Sequence, residues 1–241
     1  MARIAVVTPT FNERNNIPIL VEKIFSLKIE GLNLYVVDDN SPDGTAGAVK
    51  ELSLKYPAVT LIFRPAKEGL GRAYAAVFKQ ILSLDDKPDY IIQMDADLSH
   101  DPKVIPCMIA KIGECDVVLG SRYIKDGGIK NWDLLRRLIS RFGNFYTRVV
   151  LGLPYRDLTG GFKCWRRAVL EEIDMDSLSS VGYNFQIETT YKAHRLGFKI
   201  CEVPIIFIER KSGISKFNLS IIWESFIKIL VLKYEGFYRK T

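Results

Sequence analysis

The sequence predicts one α/β domain: a mostly parallel, Rossmann-like sheet flanked by helices. Three observations carry this. Five short apolar runs, rich in Val, Ile and Leu, recur through the first half and read as strands buried on both faces. Segments of helical length separate them, and strands alternating with helices require a parallel sheet with right-handed crossovers. No internal repeat, low-complexity stretch or break in composition marks a linker in the 241 residues, a length that one large domain can fill.

The strand runs are RIAVVT from Arg3, LYVVD from Leu34, VTLIF from Val59, YIIQMD from Tyr90 and DVVLG from Asp116. Ser41 before Pro42, and Asp101 before Pro102, each read as an N-cap followed by proline in the first helical position. The second half is less regular. Trp132 to Val150 reads as a helix carrying apolar residues together with Arg136, Arg137, Arg141 and Arg148. Residues 184–196 read as helix, 198–208 as strand-rich, and 218–238 as an amphipathic helix. Residues 1–122 therefore form the sheet-building half, and 123–241 cover and extend it.

Composition narrows the partners. A net charge of +6 and a pI near 9.0 suit anions such as phosphate groups or an anionic membrane face, but fall short of a dedicated nucleic-acid binder. Cys107, Cys115, Cys164 and Cys201 form no CxxC pair and have no histidine neighbours in the sequence. That argues against a disulfide frame or structural zinc and suits a reducing compartment. Met1 leads straight into a strand-like run, so no signal peptide is expected. The best apolar stretch is broken by Glu224 and Lys228, so no span is expected and the protein should be cytoplasmic or peripheral.

Polar residues gather at the strand ends, where a parallel sheet puts its ligand. TPTFNE supplies Pro9, Phe11 and Glu13; the second strand ends at Asp38-Asp39; the fourth ends at Asp95-Ala96-Asp97. Two carboxylates at i and i+2 past a strand can reach one divalent cation, and hard oxygen ligands select magnesium or manganese. A solvated turn with an N-cap is the plain alternative for Asp95-Ala96-Asp97. Of Asp38 and Asp39, one can cap and the other bind a base or ribose hydroxyl. Glu13 reads equally as first-turn helix dressing. EGLGRA lacks the third glycine of a dinucleotide fingerprint and follows the third strand, so it reads as a tight turn, and no Walker A loop occurs. His100 and His194 read as structural. Arg122, directly after the fifth strand, and Arg210, Lys211 and Lys216 around SGIS can neutralise a diphosphate or stand as ordinary charged positions.

TPTFNE, VVDDNSPDGT, DADLSHDPK, GSRY, DLTGGFK, GYNFQIE, EVPIIFIER and SGISK follow one another from Thr8 to Lys216. Together they resemble the dolichyl-phosphate mannose synthases, inverting family-two glycosyltransferases of GT-A fold. The resemblance implies GDP-mannose as donor, a polyprenyl (dolichyl-type) phosphate as acceptor, and Mg2+ or Mn2+ as cofactor. It implies nucleoside contacts at Pro9, Phe11, Glu13, Val37 and Asp39, with Asp95, Ala96 and Asp97 along the diphosphate. The metal would be held by Asp97 and Ser99. Arg122, Arg210 and Lys216 match phosphate-binding cations, and Asp97 and Arg122 are the expected catalytic pair. Arg122, Arg136 and Ser140 would take the acceptor phosphate. Residues 1–122 become the nucleotide-sugar half and 123–241 the acceptor and membrane-facing half. A peripheral position at the cytoplasmic membrane face, with room for a membrane-anchoring partner subunit and none for nucleic acid, completes the expectation.

Two positions depart from the family pattern. Phe11 stands where many relatives have tyrosine, and Ser99 where some have glutamine. Some relatives continue into C-terminal membrane spans, which are not expected here. Rival readings are glucosyl transfer to the same lipid, a sugar-phosphate nucleotidyltransferase, and a non-catalytic lipid-surface or RNA-binding module. The nucleotidyltransferase reading asks for a Gly-rich loop after the first strand, where TPTFNE stands. Residues 132–150 and 218–238 each mix Leu, Ile, Val and aromatics with Arg or Lys, which marks both as membrane-facing, and in the second the ten apolar residues between Ile221 and Tyr234 exceed one buried stripe. The alternative is that both helices bury their apolar faces in the core.

Overall fold

The computed structural model describes residues 2–178, 180, 182, 184–209 and 219–238. Strand β1 spans Ile4–Thr10, β2 Leu32–Asp38, β3 Val59–Phe63, β4 Tyr90–Gln93 and β5 Val117–Ser121, at the five expected places. Helices α1 (Ile17–Phe25), α2 (Thr45–Lys55), α3 (Leu70–Leu82) and α4 (Ile105–Lys111) link them. Residues alternate between faces along each strand, so Ile4 and Val6 enter one core while Ala5 and Val7 enter the other. Both faces of the sheet are covered, which is why the strands read as continuous apolar runs.

Four further strands complete the fold: β6 (Gly128–Lys130), β7 (Lys163–Arg166), β8 (Ile200–Pro204) and β9 (Ile206–Ile208). The main sheet has the order β3-β2-β1-β4-β7-β5-β8, and β6 and β9 form a separate pair. β7 runs antiparallel to both its neighbours, with Gln93 opposite Lys163 on one side and Leu119 opposite Lys163 on the other. The remaining pairings of the main sheet are parallel. β1 lies between β2 and β4, where the chain's winding reverses, the place where such a sheet ordinarily seats its ligand.

Two local expectations are corrected. Ser41 does not cap α2: its N–H and hydroxyl both donate to Asp38, at 3.0 and 2.6 Å, and the helix starts at Thr45. Asp43 holds that start instead, accepting from Thr45 N at 2.9 Å. EGLGRA is a turn only at Gly69 (φ 104°), after which α3 begins at Leu70. Asp101 caps as expected, accepting from Lys103 N at 3.1 Å ahead of a single 3-10 turn, Pro102–Val104, that leads into α4.

In the second half, α5 spans Leu134–Leu151, α6 Arg167–Glu172, α7 Asn184–Arg195 and α8 Leu219–Tyr238. α5 is capped by Asp133, which accepts from Arg136 N at 2.8 Å, and stopped by Gly152 in the left-handed region. Asn144, Thr147 and Leu151 give it a narrow buried stripe, while Leu134, Leu135, Leu138, Phe142, Phe145 and Val149 stay exposed. α8 packs against it through Phe226, whose ring lies 4.5 Å from that of Tyr146. Ile229 and Leu232 of α8 are buried in the core, whereas Ile227, Leu230, Val231 and Tyr234 are exposed. Each helix thus does both things: it packs one stripe and leaves another apolar stripe to solvent.

Candidate functional site

The strand ends converge as the sequence analysis expects. Asn12, Asn40 and Leu98 follow β1, β2 and β4, and each adopts a positive φ, of 64°, 54° and 63°. Asparagine tolerates this region, but a branched leucine does so at a cost, and such strain gathers at ligand sites. Past β4, Asp97 accepts from Ser99 N at 3.1 Å and from the Ser99 hydroxyl at 2.5 Å. His100 is buried, stacks on Phe162 at 5.0 Å, and accepts the N–H of Asp95 at Nδ1 at 3.1 Å. The histidine is structural, and what it holds is the acidic turn itself.

On the nucleotide side, Asp38 is committed to its own turn, since its carboxylate also accepts from Thr10 Oγ1 at 3.0 Å. Asp39 is the outward member of the pair. Its Oδ1 accepts from Arg64 Nη1 at 2.7 Å, and burial pushes its carboxyl above the ordinary value while Arg64 pulls the other way. The Phe11 ring lies beneath Lys67, with Nζ 3.4 Å from its centroid. Glu13 accepts from Asn16 Nδ2 at 2.7 Å. Pro9 is partly buried in β1 opposite Val37. The side chains of Val37 and Ala96 are buried in the two cores, so any ligand contact there runs through the main chain.

The antiparallel β7 explains the other side of the site. Because it is reversed, its beginning lies at the edge where β4 and β5 end, and the preceding DLTGG segment falls between Asp95 and Arg122. Arg122 is 8% exposed and Asp157 1%. Asp157 accepts from Arg122 Nε and Nη2, both at 2.7 Å, and from its backbone N–H at 2.9 Å. Arg122 Nη2 also donates to Thr159 Oγ1 at 2.8 Å. Burial raises the Asp157 carboxyl, but the Arg122 charge and hydrogen bonds outweigh it and hold the group below its ordinary 3.8. Burial works against the Arg122 charge, but Asp157 above all, with smaller contributions from Tyr123 and Asp95, holds the guanidinium above its ordinary value.

Arg122, Arg136 and Ser140 are brought together around two aromatic rings. The guanidiniums of Arg122 and Arg136 lie 5.6 and 4.2 Å from the Trp132 centroid. Ser140 accepts from Tyr123 OH at 2.7 Å, and Arg136 pairs with Glu209. Beside them opens a cleft of about 280 Å3 whose lining includes Arg141, Asn144, Arg148 and Arg156 and no carboxylate. The expected cations Arg210, Lys211 and Lys216 lie outside the described residues.

From the sequence, Asp157 of DLTGGF reads as a residue that can orient a sugar rather than as a base, and Lys163, Gln93 and Gln186 are not singled out. Asp157 is the counter-ion of Arg122. Lys163 is fully buried, donates to Gln186 O at 2.6 Å and Thr190 Oγ1 at 2.9 Å, and burial pushes its amine down to about 7. Gln93 and Gln186 meet between β4 and α7. Their signal was present in GGFK and NFQIE, but nothing local assigns a partner to any of them.

Among the described residues no three His, Cys, Asp or Glu side chains converge on a common point. The candidate oxygen donors are Asp97 and Ser99, which is hydrogen-bonded to Asp97, with the Asp95 carboxylate on the same turn. That fits Mg2+ or Mn2+, which take one or two protein carboxylates and complete their shells with water and substrate phosphates. It does not fit zinc, which asks for imidazole or thiolate.

Comparison with known proteins bears on the family and the fold. Residues 5–174 match the family model described as "Glycosyl transferase family 2". The undecaprenyl-phosphate mannosyltransferase of Micrococcus luteus is 37% identical over 238 residues, covering 97% of each chain. The polyprenol monophosphomannose synthase of Mycolicibacterium smegmatis is 39% identical over 229 residues, 94% of this chain and 85% of the relative. Among solved structures, a mannosyltransferase of Pyrobaculum calidifontis in complex with GDP-Man and Mn2+ superposes with a TM-score of 0.64 at 16% identity. That match covers 99% of this chain and 64% of the archaeal one. Glucosyl-3-phosphoglycerate synthase of Mycobacterium tuberculosis gives 0.67 at 16% identity, over 98% of this chain and 78% of its own. At such identities the two structures establish the fold, a GT-A type α/β domain.

Proposed function

The chain belongs to glycosyl transferase family 2, among the polyprenyl-phosphate mannosyltransferases, and on that premise we propose that it transfers mannose from GDP-mannose to a polyprenyl phosphate at a membrane surface, with inversion. The observation that carries this reading is the meeting, on one sheet edge, of an acidic turn at Asp95 and Asp97 with a cationic group built on Arg122, Arg136 and Ser140. One half suits a metal–diphosphate, the other a second phosphate.

The chemistry asks for little more. A phosphate monoester is largely dianionic at neutral pH, so its oxygen attacks the anomeric carbon without a general base. The bond from that carbon to the β-phosphate oxygen breaks, and GDP leaves with the electron pair. The protein's task is to hold two anions in line and stabilise the charge that develops. Pro9, Phe11, Glu13, Val37 and Asp39 take the nucleoside, the base displacing Lys67 from the Phe11 ring. Asp97, oriented by Ser99, would hold the cation, with Asp95 along the diphosphate. The Ser99 hydroxyl proton is engaged with Asp97, so Ser99 joins a metal shell only together with that carboxylate. When bound, Mg2+ or Mn2+ supplies charge neutralisation to the leaving diphosphate. Arg122, Arg136 and Ser140 receive the acceptor phosphate, and Arg210 and Lys216 complete the donor side.

Membrane contact follows from the acceptor. No helix among the described residues is long and apolar enough to cross a bilayer. The exposed apolar stripes of α5 and α8, flanked by Arg137, Arg141 and Arg148, have the composition of helices lying in the headgroup plane.

The test is a panel of nucleotide-sugars assayed with polyprenyl phosphate and Mn2+, using wild type and Asp97→Ala. GDP-mannose should be turned over best, and Asp97→Ala should fall below about a tenth of wild type, because losing one charge-stabilising group ordinarily costs on the order of 100-fold. Preference for another sugar would refute the donor. Higher residual activity of Asp97→Ala under limiting metal would refute the role of that carboxylate.

A further inference from the structure

The cleft beside Arg122 is more basic than the acceptor group accounts for. Arg141, Arg148 and Arg156 line it together with Arg122, whereas Arg136 and Ser140 do not. Arg141 and Arg148 stand two turns apart on one side of α5. Arg156 comes from the segment after Gly152, whose φ of 69° ends that helix, and its backbone N–H donates to both carboxylate oxygens of Glu202 at 3.0 Å. Among the described residues none of these three guanidiniums is paired with a carboxylate, while Arg64, Arg122, Arg136 and Arg166 all are. Like charges gathered on one concave surface repel each other and focus their field on an anion.

The cleft also has an apolar lip. Phe145 lines it and is 60% exposed. With Leu138, Phe142 and Val149, each more than half exposed, it forms a row along the outer side of α5. A free anion would engage the arginines and leave this row in water, and a neutral lipid would do the reverse. An anionic amphiphile satisfies both at once. The volume, about 280 Å3, falls just under the range of about 300–1,000 Å3 usual for whole small molecules, which suits a headgroup rather than a nucleotide-sugar. The acceptor lipid is itself an anionic amphiphile, but its phosphate has to meet the acidic turn, and neither Asp95 nor Asp97 lines this cleft.

We propose that the cleft is a headgroup site for a non-reacting anionic phospholipid, its phosphate among Arg141, Arg148 and Arg156 and its tails along the Phe145 row. This rests on the reading of α5 as membrane-facing and adds a discrete site to it. Arg122 lines the cleft and also belongs to the acceptor group. A phospholipid phosphate held there therefore sets Arg122, Arg136 and Ser140 at the depth of the headgroup layer, where an acceptor phosphate is found.

The experiment is a calorimetric titration of the full chain, without nucleotide, using a short-chain phosphatidylglycerol kept below its micelle concentration. Short-chain phosphatidylcholine and inorganic phosphate are titrated in parallel. Wild type should bind phosphatidylglycerol at a single site and the other two on the order of tenfold more weakly. Arg141→Gln and Arg156→Gln should each weaken phosphatidylglycerol by about fivefold, the ordinary worth of one arginine at a lipid phosphate. Both side chains are exposed, so thermal unfolding should be unchanged. Arg137→Gln removes the same charge from an exposed position of α5 that does not line the cleft, and should change binding by less than about twofold. An equal loss in Arg137→Gln would reduce the effect to diffuse charge. Inorganic phosphate binding as tightly as the lipid would leave an anion site without a lipid, and absence of phosphatidylglycerol binding would sink the proposal outright. Turnover of GDP-mannose and polyprenyl phosphate in detergent reads the transferase assignment separately. There Arg141→Gln and Arg156→Gln should keep the wild-type acceptor KM, and a raised KM in both would give the cleft to the acceptor instead.

Discussion

Replacing Asp157 by asparagine should be among the most damaging near-isosteric changes in the second half of the chain. The carboxylate takes three hydrogen bonds from Arg122, at 2.7, 2.7 and 2.9 Å, and both residues are almost fully buried. Removing one member of a buried ion pair leaves the other charge uncompensated, which costs about 3–5 kcal/mol. A domain of this kind has about 5–15 kcal/mol in all. Urea unfolding at neutral pH measures the loss. Asp116→Asn is the control: Asp116 faces Arg166 at 3.4 Å with both side chains about a third exposed, so it should cost under about 1 kcal/mol. The pH dependence has a definite sign. The folded Asp157 carboxyl titrates below its ordinary 3.8, so its contribution is complete above that value and is lost as pH falls through the lower, folded value. Asp157→Asn should lack this acid-limb loss. A variant within about 1 kcal/mol of wild type at neutral pH would refute the account of Arg122 as a charge held by a buried partner.

Two further outcomes follow from burial. Lys163 has an ordinary value of 10.5 and a folded value of about 7, so between these the unfolded chain binds a proton the native protein does not. Stability from this group therefore rises with pH across that window, by roughly 5 kcal/mol in total. Unfolding free energies at pH 7.5 and 9.5 should climb more steeply in wild type than in Lys163→Met, and parallel curves would count against a neutral buried lysine. On α5, glutamine at Leu138 and Phe145 should sharply reduce flotation with anionic vesicles while changing stability by less than about 0.5 kcal/mol per site. Undiminished flotation would place the membrane contact elsewhere, and wild-type binding should weaken with salt.

The first half was legible because its signals are local. Five buried strands announce themselves by composition, and a parallel sheet then dictates that TPTFNE, Asp38-Asp39 and Asp95-Ala96-Asp97 share one edge. The second half was legible only as helices. β7 escaped notice because Lys163–Arg166 is short, carries charge at both ends and shows no alternation to advertise a strand. Without its reversed direction nothing places Asp157 beside Arg122, 35 residues earlier in the chain. The same holds for Gln93 and Gln186, whose pairing depends on which strand lies next to β4 and which helix covers it. The exposed apolar stripes illustrate a different limit. Apolar excess on α5 and α8 was readable, but which residues it left exposed depended on how narrow a stripe the core had room for.

Burial also separates the permanent charges of the site from those a ligand can recruit. Four expected ligand groups already have partners: Asp39 with Arg64, Phe11 with Lys67, Arg122 with Asp157 and Arg136 with Glu209. Exchange of a partner for a substrate is cheap only where water already screens the pair. Arg136 and Glu209 are 24% and 28% exposed, so an acceptor phosphate can take the guanidinium from the carboxylate at little cost. Arg122 and Asp157 cannot separate in that way, so on the proposed reading Arg122 meets phosphate while still bound to Asp157, offering the edge of the guanidinium that the carboxylate leaves open. Its net charge is then largely cancelled from behind, and its contribution becomes one of direction rather than of attraction. On this view Arg136 draws the acceptor in and Arg122 orients it. Arg136→Gln should therefore act chiefly on acceptor KM, and changes at Arg122 or Asp157 chiefly on kcat.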